Sequence, residues 1–174
     1  MHNHTISKLD DLITTLIDSV KGYEHSAEKA KSAPFETLFR DLAAERQAAV
    51  GLLQERSRQL GGKPNEFGSA AGTVHRWIED IHVALGGGDK AIIQAIDRGE
   101  DYLSEEFARV LKDDAIDAET LAVVRRAHDS VRHGLTMGEM GHWFIDHFGL
   151  DVDYRVIAME GWEPEGLGSW GPRG

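Results

Sequence analysis

Apolar residues recur every three or four positions through four long stretches of this chain, and that one period restricts the fold to packed helices. In the first stretch Leu9, Leu12, Ile13, Leu16, Ile17, Val20, Tyr23, Ala27 and Ala30 form a single stripe between Ile6 and about Lys31. Ser32-Ala33-Pro34 breaks the stripe, and Pro34, tolerated in a first helical turn where its missing N–H is not needed, opens a second helix. That helix carries Phe35, Leu38, Phe39, Leu42, Ala49, Leu52, Leu53 and Leu60 and ends in the turn chemistry of Gly61-Gly62-Lys63-Pro64-Asn65. So short a connection makes the two helices antiparallel neighbours.

A shorter helical pattern, with Val74, Trp77, Ile78, Ile81 and Leu85, lies between Gly68 and the break Gly86-Gly87-Gly88. Asp89 suits the N-cap of a third long helix bearing Ile92, Ile93, Ile96, Leu103, Phe107, Val110 and Leu111. After a connection at 112–116, Asp117 and Glu119 suit the positive end of a fourth, with Leu121, Val124, Val131 and Leu135, running to about Phe148. Beyond Gly149 the tail is irregular, with DVDYRVIAM as a short strand or extended arm followed by a Gly-, Pro- and Trp-rich end. The expected architecture is all-α: a four-helix bundle over residues 1–148 with a long crossover holding an extra short helix, then an irregular tail over 149–174.

Composition narrows the chemistry. The 174 residues contain no cysteine, which removes thiolate metal sites, disulfides and cysteine nucleophiles. A formal charge of -11 argues against nucleic acid and anionic membranes as partners, because both select clustered Lys and Arg. No stretch approaches the roughly 18 apolar residues of a membrane span, and the first residues lack the pattern of a secretory signal, so a cytoplasmic location is expected. No phosphate loop, Ser/His/Asp order or zincin spacing is present, since the GGGD run after Leu85 lacks the Lys-Ser/Thr that a phosphate loop needs.

Four residues interrupt the apolar stripes with charge or imidazole. Glu24 lies between Val20 and Ala27, Glu45 between Leu42 and Ala49, Glu100 between Ile96 and Leu103, and His128 between Val124 and Val131, each at three- and four-residue spacing. That spacing directs all four into the bundle. Glu24 and Glu45 stand roughly 15 to 17 Å from the first turn, and Glu100 and His128 about 21 Å from the second, at about 1.5 Å per residue. With the turns at opposite ends the four meet near mid-bundle. Burying carboxylates demands a cation, and oxygen and imidazole ligands suit iron or manganese.

The stretches LGGKP at 60–64, GSAAGTVHRW at 68–77, DRGEDYL at 97–103 and AHDSVR at 127–132 are those by which the chain resembles the ferritin-like superfamily, and within it bacterial four-helix-bundle proteins of undetermined function. The resemblance covers about residues 5 to 135. It implies the ferritin-like bundle, a setting in stress or metal homeostasis, and Glu24, Glu45, Glu100 and His128 at the positions of the metal ligands; di-iron oxidase and iron-storage chemistry does not carry over, and ferroxidase-like or peroxide-consuming chemistry is the hypothesis if iron or manganese binds. The sequence departs from the di-iron pattern at Ala48, where a histidine is expected, and at Arg125, where a glutamate is expected. One metal held by three carboxylates and an imidazole is then the expectation. The alternative is a non-enzymatic bundle that oligomerises or binds a partner, in which Glu24, Glu45, Glu100, Arg125 and His128 form a buried ion network. Whether the chain is an enzyme stays open between them.

The remaining candidates have plainer readings. His75 and His82, two turns apart, read as hydrogen-bonded, partly buried histidines, and His25, beside the first stripe, reads as solvated. His142 and His147 lie off the spacing that aligns two ligands on one helix face. Tyr23 and Tyr102 flank the glutamates and read as packing residues, and Gly99 beside Glu100 marks a crowded mid-bundle. Trp143, Trp162 and Trp170 offer a contact surface, the tail segment GLGSWGPRG resembles Gly-rich peptides that dock ferritin-like cargo on a protein shell, and a homo-oligomer is expected.

Overall fold

The computed structural model describes residues 2–69, 73–87 and 89–132, with side chains for all of these except 73–78, 89, 90, 93, 97 and 130–132. The described residues are helical and contain no strand: α1 is Asn3–Lys29, α2 Ala33–Gln59, α3 Thr73–Leu85, α4 Asp89–Leu111 and α5 Ala118–Arg132. The chain divides into two compact units, Met1–Val131 and Arg132–Gly174. The expected continuation of the fourth helix to Phe148, the 148/149 boundary, the short strand and the Trp-rich tail all lie outside the described residues.

Helix ends follow local chemistry. Pro34 sits in the first turn of α2. At its other end Gly61 takes a φ of 88°, and the N–H groups of Gly62 and Gly61 donate to the carbonyls of Ser57 and Arg58 at 2.8 and 2.9 Å. That is a Schellman closure, which needs a residue free to enter the left-handed region. Asp117 caps α5: its Oδ1 accepts the Thr120 N–H at 2.9 Å, and its other oxygen accepts the Thr120 hydroxyl at 2.7 Å.

Contacts along the helices define the topology. His4 near the start of α1 binds Asp113 in the α4–α5 connection at 2.7 Å, and Arg56 near the end of α2 donates to Asp117 and Thr120 at the start of α5. The α1–α2 turn therefore stands at the opposite end from the α4–α5 turn. Between α2 and α4 the chain returns along α1. Asn65 meets Asp10 and Thr14, Ser69 donates to Asp18, and His82 of α3 reaches His25. The path makes α2 and α4 parallel, which a short loop cannot do.

The core is shared by α1, α2, α4 and α5. Leu9, Leu12, Ile13, Leu16 and Ile17 pack with Ala49, Val50, Leu53, Leu103, Phe107, Val110, Ile116, Val124 and Ala127. Two seven-residue ladders, Leu9–Leu16–Tyr23 and Phe39–Arg46–Leu53, are completely buried. The second contains an arginine.

Candidate functional site

Among the described residues Arg46 is the largest side chain withdrawn entirely from solvent. It lies four residues after Leu42 and three before Ala49, so the amphipathic face of α2 carries it inward with them. Its Nη2 pairs with Glu100 Oε1 of α4, and its Nη1 lies 3.5 Å from Glu45 Oε2. From α1 the Tyr23 hydroxyl donates to the same Glu100 oxygen at 2.6 Å, and the guanidinium carbon stands 5.8 Å from the centre of the Tyr23 ring. Phe39 stacks on Tyr23, with ring centres 6.1 Å apart.

Three helices thus join at one polar knot. Burial alone draws the guanidinium towards its neutral form, but Glu100 and Tyr23 outweigh it and hold the proton more firmly than an ordinary arginine does. Burial, and then the Glu100 charge, push the Tyr23 hydroxyl well above the usual tyrosine range, so it remains a donor. The two carboxylates are less enclosed. Glu100 keeps 18% of its side-chain surface exposed and Glu45 keeps 38%.

The four residues expected at mid-bundle fare differently. Glu100 and Glu45 meet at Arg46. Glu24 is exposed, because Tyr23, one position earlier, takes the inward face of α1. The partly buried His128 ring stacks on Phe107 with centres 5.0 Å apart, and Phe107 is two turns along α4 from Glu100. Among the described residues no group of three His, Asp or Glu side chains is placed to hold a metal ion. Ala48 and Arg125, where the di-iron pattern expects its remaining ligands, are both exposed.

An ion network with Arg125 as its cation is corrected in the same way: the buried cation is Arg46. The sequence brings the signal to within one residue of it. Positions 45 and 46 both satisfy the three-or-four spacing from Leu42 and Ala49, and each falls on an apolar seven-residue ladder, 45 with Leu38 and Leu52 and 46 with Phe39 and Leu53, so the pattern does not choose between them. Two histidines also depart from expectation. His25 and His82 touch each other, with ring centres 4.7 Å apart, and His82 Nε2 is buried without a hydrogen-bond partner. His75 has its side chain outside the description.

A family model described as Domain of unknown function (DUF2383) matches residues 4–113, which run from the start of α1 to the end of α4 and hold Tyr23, Glu45, Arg46 and Glu100. The chain belongs to this family. A second model, described as the N-terminal part of the exo-beta-N-acetylmuramidase NamZ, matches residues 109–169, less than half of the chain. No curated protein and no solved structure matches the chain. The DUF2383 match spans the three helices of the polar knot, and it carries no assigned activity. No helix among the described residues is long and apolar enough to cross a membrane.

Proposed function

We propose that this DUF2383 chain is a non-enzymatic helical bundle that works by binding a partner, a second copy of itself included, and that its mid-bundle polar knot is structural. The observation that carries this reading is the fully buried guanidinium of Arg46 between Glu45 and Glu100. It supplies the positive charge that a metal would otherwise bring to those carboxylates. The exposed apolar side chains support the binding part of the reading: Phe67 is 77% exposed on the crossover and Val83 is 78% exposed on α3. A homo-oligomer and a ferritin-like ancestry belong to the same proposal.

The resemblance to ferritin-like proteins supports a second reading, in which one iron or manganese ion is held through Glu24, Glu45, Glu100 and His128. Its specific support is that Glu45 and Glu100 already converge. It requires Arg46 to move away. The two readings separate on one experiment with untagged protein. After reconstitution with Fe(II) or Mn(II) under argon and gel filtration, the structural reading expects no ion whose retention depends on Glu45 or Glu100. One ion per chain that is lost in both Glu45→Gln and Glu100→Gln overturns it. Sedimentation velocity across a range of concentrations then tests self-association.

A further inference from the structure

We propose that His25 of α1 and His82 of α3 form a two-imidazole site for an imidazole-preferring divalent transition metal ion such as Zn2+, tying the crossover helix to the first helix. Three observations carry it. The first is proximity: two histidines from helices that meet only through the crossover bring their ring centres to 4.7 Å, tilted by 47°. An imidazole nitrogen binds Zn2+ at about 2.0–2.1 Å, so two rings sharing an ion at right-angled to tetrahedral geometry have centres roughly 4.5–5.3 Å apart. The observed spacing falls within that range.

The second observation is an unmet bonding need. His82 Nε2 is shielded from solvent and has no hydrogen-bond partner, although a buried polar nitrogen without one carries a desolvation cost. A metal ion meets that need. The third is a neighbouring carboxylate. His25 Nδ1 lies 3.7 Å from Glu28 Oε2, one turn along α1, so a carboxylate stands near that ring, within reach of the outer-shell place that carboxylates commonly take beside metal-bound histidines. Neutral imidazole is the form that binds metal.

Among the described residues no third Asp, Glu or His completes a cage. Water therefore fills the remaining positions, and His25, with 43% of its side chain exposed, leaves them open to solvent. Such an open site differs from the mid-bundle knot in metal preference and in position, and it does not depend on the reading of that knot.

The test is a calorimetric titration of Zn2+ into the full chain after treatment with EDTA, in a His2→Ala/His4→Ala background that removes two imidazoles from the N-terminal segment. One strong equivalent per chain is expected, with affinity reduced at least tenfold in His82→Ala and in His25→Ala. Melting should rise by about 5–10 °C at Zn2+ a hundred times Kd, and that rise should vanish in both histidine variants. Because His82→Ala removes a half-buried ring, imidazole NMR signals of the parent give an independent readout, and those of His25 and His82 should move together on adding Zn2+. Unchanged stoichiometry and affinity in the two variants, or ring signals that stay in place, overturn the proposal.

Discussion

Replacing Arg46 by methionine removes the only described cation at the knot while keeping an unbranched side chain that fills much of the same volume. The guanidinium is completely buried and Glu100 is 18% exposed, so the variant leaves a mostly enclosed carboxylate with one remaining donor, the Tyr23 hydroxyl. Breaking a buried pair from one side costs about 3–5 kcal/mol. The partial exposure of Glu100 places Arg46→Met near the lower end, at about 3 kcal/mol. Glu45, at 3.5 Å and 38% exposed, adds at most about 1 kcal/mol. Glu100→Gln strands the more deeply buried partner and should cost about as much, whereas the double variant Arg46→Met/Glu100→Gln should be scarcely worse than either single. Urea unfolding followed by circular dichroism at pH 7, with a common slope, gives the coupling energy. We expect about 2 kcal/mol or more. Two single effects that add to within about 0.5 kcal/mol would refute the claim that the pair is one energetic unit.

Tyr23→Phe should cost about 1.5–3 kcal/mol in the same assay, since it deletes a hydrogen bond to a charged acceptor. The same hydroxyl makes an alkaline prediction. Its folded pKa lies well above the ordinary 10.0, so its contribution is present below about pH 10 and is lost as pH rises from there through the folded value; absorbance at 295 nm should show Tyr23 ionising only with unfolding. Asp117→Ala should lower stability by about 1 kcal/mol through loss of the α5 cap. In the parent, the Thr120 hydroxyl and N–H hold the Asp117 pKa below the usual 3.8, so that contribution is present above this value and fades as pH falls through the folded pKa; an acid titration of the Asp117 carboxyl by NMR checks the direction. Gly68→Ala should cost about 1–2 kcal/mol, because the position has a φ of 83° and an added Cβ runs into Asp18; hydrogen exchange should show its effect at Ser69 and nearby crossover amides.

The helices and the long return path were readable because period, proline and glycine are local signals, and the stripes at Leu9–Ala27 and Ile92–Val110 became buried faces. The knot was legible only to within one residue on each of two helices. Glu24 and Tyr23, like Glu45 and Arg46, are neighbours separated by about 100° around a helix, and three-or-four spacing alone does not choose between them. The choice depends on which residue the facing helix can satisfy. Glu100 satisfies a hydroxyl and a guanidinium, whereas Glu24 and Glu45 turned fully inward would face it as like charges. The meeting of His25 with His82 had no local signal, because it depends on where the crossover crosses α1.

The partners in the central ion pair stand on opposite sides of the crossover in the chain, and this has a kinetic meaning. The α1–α2 hairpin closes locally and can form early, but at that stage Arg46 has no Glu100 beside it, and α4 must first be carried the length of the bundle. A chain that collapses with α4 out of place leaves the guanidinium in an apolar interior without Glu100, with only the half-exposed Glu45 of its own helix as a described carboxylate beside it. The arginine therefore acts as a late proofreading device on the parallel arrangement of α2 and α4, slowing escape from the correct fold more than it hastens arrival there.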